Sequence, residues 1–152
     1  MRYYLWFAIP VFILASGLLT AAGNQTTQNT DTTRTLEVKL HYTGSGTVDE
    51  KHPILVFVFD TADFMQGQVP PIALQTAKSK DETLVFKDLT ASPVYMGAVY
   101  DPSGEYQGDS LPPSGSSIGI YAKTPGVPAP INLEPGKTVR IELAFDDSHK
   151  MQ

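Results

Sequence analysis

The chain has no cysteine among its 152 residues. That absence excludes disulfide frameworks, thiolate metal sites and cysteine nucleophiles. It also excludes a lipid-modified cysteine after the run Leu19-Thr-Ala-Ala22. Basic residues are few, 11 Lys and Arg against 16 Asp and Glu, which gives a formal net charge of −5 at pH 7. Neutralising phosphates requires clustered cations, and no such cluster exists, so nucleic acid is not an expected partner. Histidine is scarce too. His41, His52 and His149 lie far apart and lack the spacing of a zinc site. No segment sustains a helical repeat, and no glycine-rich phosphate loop follows a strand and opens a helix.

What is present begins with an export signal. Arg2 precedes an apolar run from Tyr3 to Leu19, and the small residues Thr20-Ala-Ala-Gly23 follow. A charged start, apolar middle and small-residue end predict a signal peptide over residues 1–22, cleaved before Gly23. The alternative is an uncleaved anchor of about 20 apolar residues, the one membrane contact expected. Either way the remainder lies in the periplasm, outside the cell or at its surface. Residues 23–33 contain Asn24-Gln-Thr-Thr-Gln-Asn-Thr-Asp-Thr-Thr33, with nothing to bury, and predict a disordered polar linker. Asn24-Gln25-Thr26 fits a glycosylation acceptor.

The domain proper is expected over residues 34–147, with a C-terminal tail at 148–152. Leu36, Val38, Leu40 and Tyr42 alternate with polar residues, as do Val139, Ile141, Leu143 and Phe145 near the other end. Period-two alternation predicts half-buried strands. Ile54 to Phe59 is apolar on both faces and predicts a central strand covered on each side, with the long segment from Thr61 to Asp81 helping to cover it. Further strands are expected over 83–88, 94–100 and 130–133, with 72–77 and 118–122 as weaker ones. Twelve Gly and twelve Pro mark the turns, among them Glu134-Pro-Gly-Lys137. Short strands separated by turn signals predict an all-β, antiparallel β-sandwich of about seven strands with long Gly/Pro-rich loops.

Three strands end alike, at Phe59-Asp60, Tyr100-Asp101 and Phe145-Asp146. If the main strands simply alternate in direction, Asp60, Asp101 and Asp146 gather at one end of the sandwich, beside Glu105 and Asp109. Clustered carboxylates repel unless a cation or hydrogen bonds offset the repulsion. A hard cation such as Ca²⁺ suits this oxygen-only set, at a weak affinity of about 10⁻⁴–10⁻³ M. One extra strand, at 72–77 or 118–122, would undo the convergence. The competing reading is that each aspartate caps its own turn, as Asp101-Pro-Ser-Gly104 would do unaided. Tyr106 and Tyr121 near the acidic loop supply aromatic faces of the kind that bind sugars. Gly115-Ser-Ser-Ile-Gly119 matches G-x-S-x-G, with Asp146 and His149 following, but a nucleophile elbow needs a strand before its serine and a helix after it. No catalytic residue is therefore expected.

The runs Leu84-Val-Phe-Lys-Asp-Leu89 and Val94-Tyr-Met-Gly-Ala-Val-Tyr-Asp101 resemble the signature of prealbumin-like, carboxypeptidase-regulatory-like sandwich domains. Within that superfold the chain is similar to an uncharacterised family of exported bacterial domains, over about residues 35–147. The resemblance implies an immunoglobulin/prealbumin-like sandwich with an Asp-rich loop after the second run. That loop, Asp-x-Asn-x-Asn-Gly-x-x-Asp in the family, is here Asp101-Pro-Ser-Gly-Glu-Tyr-Gln-Gly-Asp109 and lacks the asparagines. The expectation is an exported, monomeric, non-catalytic binding or accessory module with a protein or glycan partner. Its alternatives are a calcium-stabilised module and a carbohydrate-binding domain. No cofactor is expected beyond that Ca²⁺.

Overall fold

The structure, a computed structural model, describes residues 33–66 and 69–152. The expected signal peptide and all of the linker except Thr33 lie outside the described residues. Among the described residues nine strands follow in order: β1 (Arg34–Tyr42), β2 (Ile54–Phe59), β3 (Ala73–Ala77), β4 (Asp81–Leu89), β5 (Tyr95–Tyr100), β6 (Ser117–Ile120), β7 (Ala122–Thr124), β8 (Val127–Pro128) and β9 (Thr138–Phe145). One 3-10 turn, Ala62–Met65, precedes β3. The first sheet has the order β4-β1-β9, the second β3-β2-β5-β6, and β7-β8 form a small ribbon. The chain is an all-β sandwich, antiparallel throughout except where β1 and β9 run side by side in parallel. The strand expected at 130–133 is reduced to one bridge between Ile131 and Val94.

One core fills the space between the two sheets. β1 contributes Leu36, Val38, Leu40 and Tyr42, β4 adds Leu84, Phe86 and Leu89, and β9 adds Leu143. Ile54, Val56, Val58, Met96, Ala98 and Tyr100 meet them from the second sheet. Each of these sits two residues from the next along its strand, as one buried face requires. Leu89 is the exception, three residues past Phe86. The register slips there, with Leu36 opposite Phe86 but Arg34 opposite Leu89, and Asp88 adopts φ 58°. This bulge turns Leu89 inward and leaves Lys87 and Asp88 in solvent.

The outer faces of the two sheets differ. That of the first carries Glu37, Lys39, Arg140 and Glu142, with Arg140 Nε donating to Glu37 Oε1 at 3.1 Å. That of the second carries Leu55, Phe57, Phe59 and Val99, all buried although no third sheet covers them. Tyr106, Phe64 and Val69 pack over them from the two long loops. The expectation for β2 therefore holds, since all six of its residues are buried. The C-terminal tail is paired rather than loose. Ile118 N–H donates to the His149 carbonyl, Met151 N–H to Ser116 and Gly115 N–H to Met151, each at 2.9 Å.

Candidate functional site: an apolar cleft beneath the acidic loop

Apolar side chains on an open sheet face must be covered, and here two loops do so incompletely. The first starts at Asp101, which is 3% exposed. One carboxylate oxygen accepts Ser103 N–H at 2.9 Å, and the other accepts Ser103 Oγ, Tyr106 N–H and Glu105 N–H at 2.5, 3.0 and 3.1 Å. Gly104 N–H closes the turn onto the Asp101 carbonyl at 3.1 Å. Burial pushes the Asp101 pKa up, but the hydrogen bonds from Ser103, Tyr106 and Glu105 outweigh it, and the net shift is downward. Held this way, the loop lays Tyr106 on Phe57, ring centroids 6.3 Å apart, with the Tyr106 hydroxyl donating to the Ser110 carbonyl at 3.0 Å.

The second loop follows β2. Thr61 Oγ1 accepts Asp63 N–H at 3.2 Å and starts the 3-10 turn, which sets Phe64 flat on Phe59 at 4.3 Å. Gly97 makes room for that ring, since a Cβ there would lie 3.3 Å from Phe64. Between the loops remains a cleft of about 560 Å³. Its floor is Phe57, Phe59, Val99, Ile118 and Ile120, and its walls include Val69, Pro70, Leu111 and Met151. Among the described residues Asp109 is the single carboxylate in the lining, and no Lys, Arg or His is found there. A smaller hollow adjoins it across Met65, Ile118 and Ile120, reaching Asp146 and His149.

The five acids proposed as one cation site do not gather. Ile54 pairs with Tyr100 and Phe59 with Tyr95, so Asp60 and Asp101 leave the second sheet at opposite ends. The extra strand β3 is what reverses the direction. Asp146 does lie toward the Asp101 end, where the Tyr42 ring stands 5.0 Å from Tyr100 and 4.8 Å from Phe145. Its carboxylate accepts Ser148 N–H at 2.8 Å. Glu105 is exposed, and Asp109 is exposed in the cleft lining. Among the described residues no group of three or more His, Asp or Glu is placed to hold a metal ion. The two tyrosines are separated as well. Tyr106 belongs to the outer apolar cluster, whereas Tyr121 packs against the core between the sheets.

Asp147, not Asp146, is the aspartate that organises this end. It accepts hydrogen bonds from Tyr42 Oη at 2.5 Å, Ser117 Oγ at 2.7 Å, Ser45 Oγ at 2.8 Å and Ser45 N–H at 2.9 Å. The Tyr42 bond, then those from Ser45 and Ser117, hold its carboxyl far below the usual range. Tyr42 is pushed up to about 12, by burial first and then by the bond to Asp147. A signal for Asp147 was present in the sequence. Val139, Ile141, Leu143 and Phe145 all face inward, and two more residues of the same alternation reach Asp147. Ser117, the serine of the G-x-S-x-G match, spends its hydroxyl on this carboxylate; a loop precedes it and β6 begins at the serine itself.

Compared with known proteins, the chain matches no family model, no curated protein and no solved structure. Among the described residues no helix is long and apolar enough to cross a membrane.

Proposed function

We propose that the protein is an exported, non-catalytic binding module whose ligand is an apolar small molecule held on the outer face of the second sheet. The observation that carries this reading is the cleft of about 560 Å³ floored by Phe57, Phe59, Val99, Ile118 and Ile120. Ligand sites are typically concave, about 300–1,000 Å³ in volume, and mostly apolar with few polar groups. Met65 and Leu111 beside it are 52% and 60% exposed, an apolar rim of the kind that marks binding surfaces. The prealbumin-like resemblance of Leu84–Leu89 and Val94–Asp101 is part of the same proposal and agrees with two packed sheets. Export rests on the N-terminal pattern of Arg2, the apolar run and Thr20–Gly23.

The test is an amide-resolved NMR titration of the full chain with octanol. The amides of Phe59, Val99, Leu111 and Ile118 are expected to shift together and saturably. Ile120→Trp, which fills the floor from β6, is expected to abolish those shifts while keeping the native spectrum elsewhere. Silence at these amides up to millimolar octanol, or shifts indifferent to Ile120→Trp, would remove the cleft as the site.

A further inference from the structure

We infer that the ligand of this cleft is a cationic amphiphile, its apolar tail on the phenylalanine floor and its ammonium group at Asp109. The inference rests on the cleft being the binding site and adds the charge of what enters it. A head group leaving an apolar floor meets whatever ionisable groups stand in the walls. Among the described residues Asp109 is the one carboxylate or basic side chain in those walls, and the adjoining hollow adds Asp146 and His149 but again no lysine or arginine. An anionic head would face a carboxylate with no cation to offset it.

Asp109 differs from three other acids at this end of the molecule, and Glu105, likewise without a side-chain partner among the described residues, stands outside the cleft lining. Asp101, Asp146 and Asp147 each spend their oxygens on hydrogen bonds within the protein. Asp109 makes no hydrogen bond or ion pair among the described residues, so its charge is available to a ligand. It lies close enough to Tyr106 to add to the upward push that burial gives that hydroxyl. The neighbouring rings point the same way. Phe64 and Tyr106, the rings laid over Phe59 and Phe57, line the cleft together with Asp109, and aromatic faces attract ammonium groups through their quadrupoles. Tyr106 cannot serve an anion as a donor without breaking its bond to Ser110.

The test compares three probes with one tail: octyltrimethylammonium, octanol and octanoate, each below its micelle concentration, titrated into the full chain and read at the cleft amides. The cation is expected to bind about three- to fivefold tighter than the alcohol, with octanoate weakest, the size of one exposed charge pair assisted by an aromatic face. The preference should shrink in high salt and disappear in Asp109→Asn, an exposed position whose loss disturbs no hydrogen bond. Leu111→Lys on the rim, which brings the local charge from −1 to zero, should abolish the preference as well. Octanol matching the cation, or a cation preference that survives Asp109→Asn, overturns the charge assignment and leaves the cleft standing. No response at the cleft amides to any probe overturns both.

Discussion

Replacing Asp147 should loosen one end of the sandwich by an amount that can be worked out from four contacts. Oδ1 takes the hydroxyls of Tyr42 and Ser117, while Oδ2 takes the N–H and hydroxyl of Ser45. These bonds tie β1, the loop after it, β6 and the segment after β9 to one side chain. A hydrogen bond to a charged group contributes about 1.5–3 kcal/mol when sheltered. Asp147 is only half-buried, so water replaces part of what is lost. After that discount, Asp147→Ala should cost about 3 kcal/mol, most of it from the stranded Tyr42 and Ser117 hydroxyls. Asp147→Asn keeps an acceptor for those two and sets an amide against Ser45 N–H, so about half that cost is expected. The assay is urea unfolding followed by far-ultraviolet circular dichroism, because the one tryptophan, Trp6, falls in the expected signal peptide and not in the sandwich. With a slope of about 1–3 kcal/mol per molar urea, the alanine midpoint should fall by about 1–3 M with the slope unchanged. The pH dependence supplies a second check. The folded pKa of Asp147 lies below its unfolded value of about 3.9, so its contribution is complete above that pH and is lost as pH falls through the acid range. Asp147→Asn should therefore flatten the decline in stability below about pH 4. An alanine variant that unfolds with the wild type, or an asparagine variant with an unchanged acid limb, would refute the network as a source of stability.

Two further outcomes test the acidic loop. Gly104 has φ 71° and a Cβ there would stand 2.1 Å from the Lys51 carbonyl oxygen, whereas Gly115 has φ 90° with nothing within 4 Å. Gly104→Ala should thus lower the urea midpoint well beyond Gly115→Ala, which carries only the left-handed backbone cost of about 1–2 kcal/mol; equal losses would mean that the 101–116 loop does not rest on Lys51. Calcium should leave the melting midpoint unmoved, because Asp101 is already saturated by its own loop and Asp60 stands at the other end. A folded-state ion at ten times its dissociation constant would add about 1.4 kcal/mol, so a rise reversed by chelator would contradict that geometry.

The sandwich was legible wherever a strand buries one face. The alternation in Leu36–Tyr42 and Val139–Phe145 marks β1 and β9, and the two-faced run Ile54–Phe59 marks the strand that needs cover on both sides. Direction was harder to see. β3 is an edge strand that fully buries only Ala77, so Ala73-Leu-Gln-Thr-Ala77 marks only a weak strand in the sequence. Counting it or missing it decides which end Asp60 occupies. The bulge at Asp88 is hidden for a similar reason, since Lys87-Asp88 looks like an ordinary polar pair until Leu89 is found in the core. Tyr121 is close to the acidic loop along the chain, but β6 turns Ser117 and Gly119 to the inner side and Tyr121 follows them there, away from Tyr106.

The contrast between the two outer faces accounts for where the long loops lie. The outer face of the first sheet carries charges and meets water directly. The second presents Leu55, Phe57, Phe59 and Val99, and leaving a side chain of that size exposed forgoes about 1.5–3 kcal/mol. The segments after β2 and β5 are long because they must return across that face, and each needs an anchor that holds irregular backbone without a sheet. Thr61 caps one. Asp101 anchors the other by collecting four donors from the loop that follows it. The acidic loop is thus first a cover, and its first aspartate is consumed in making it so. What the cover leaves open is the cleft, and the carboxylate left unspent at its edge is Asp109, eight residues further along the same loop.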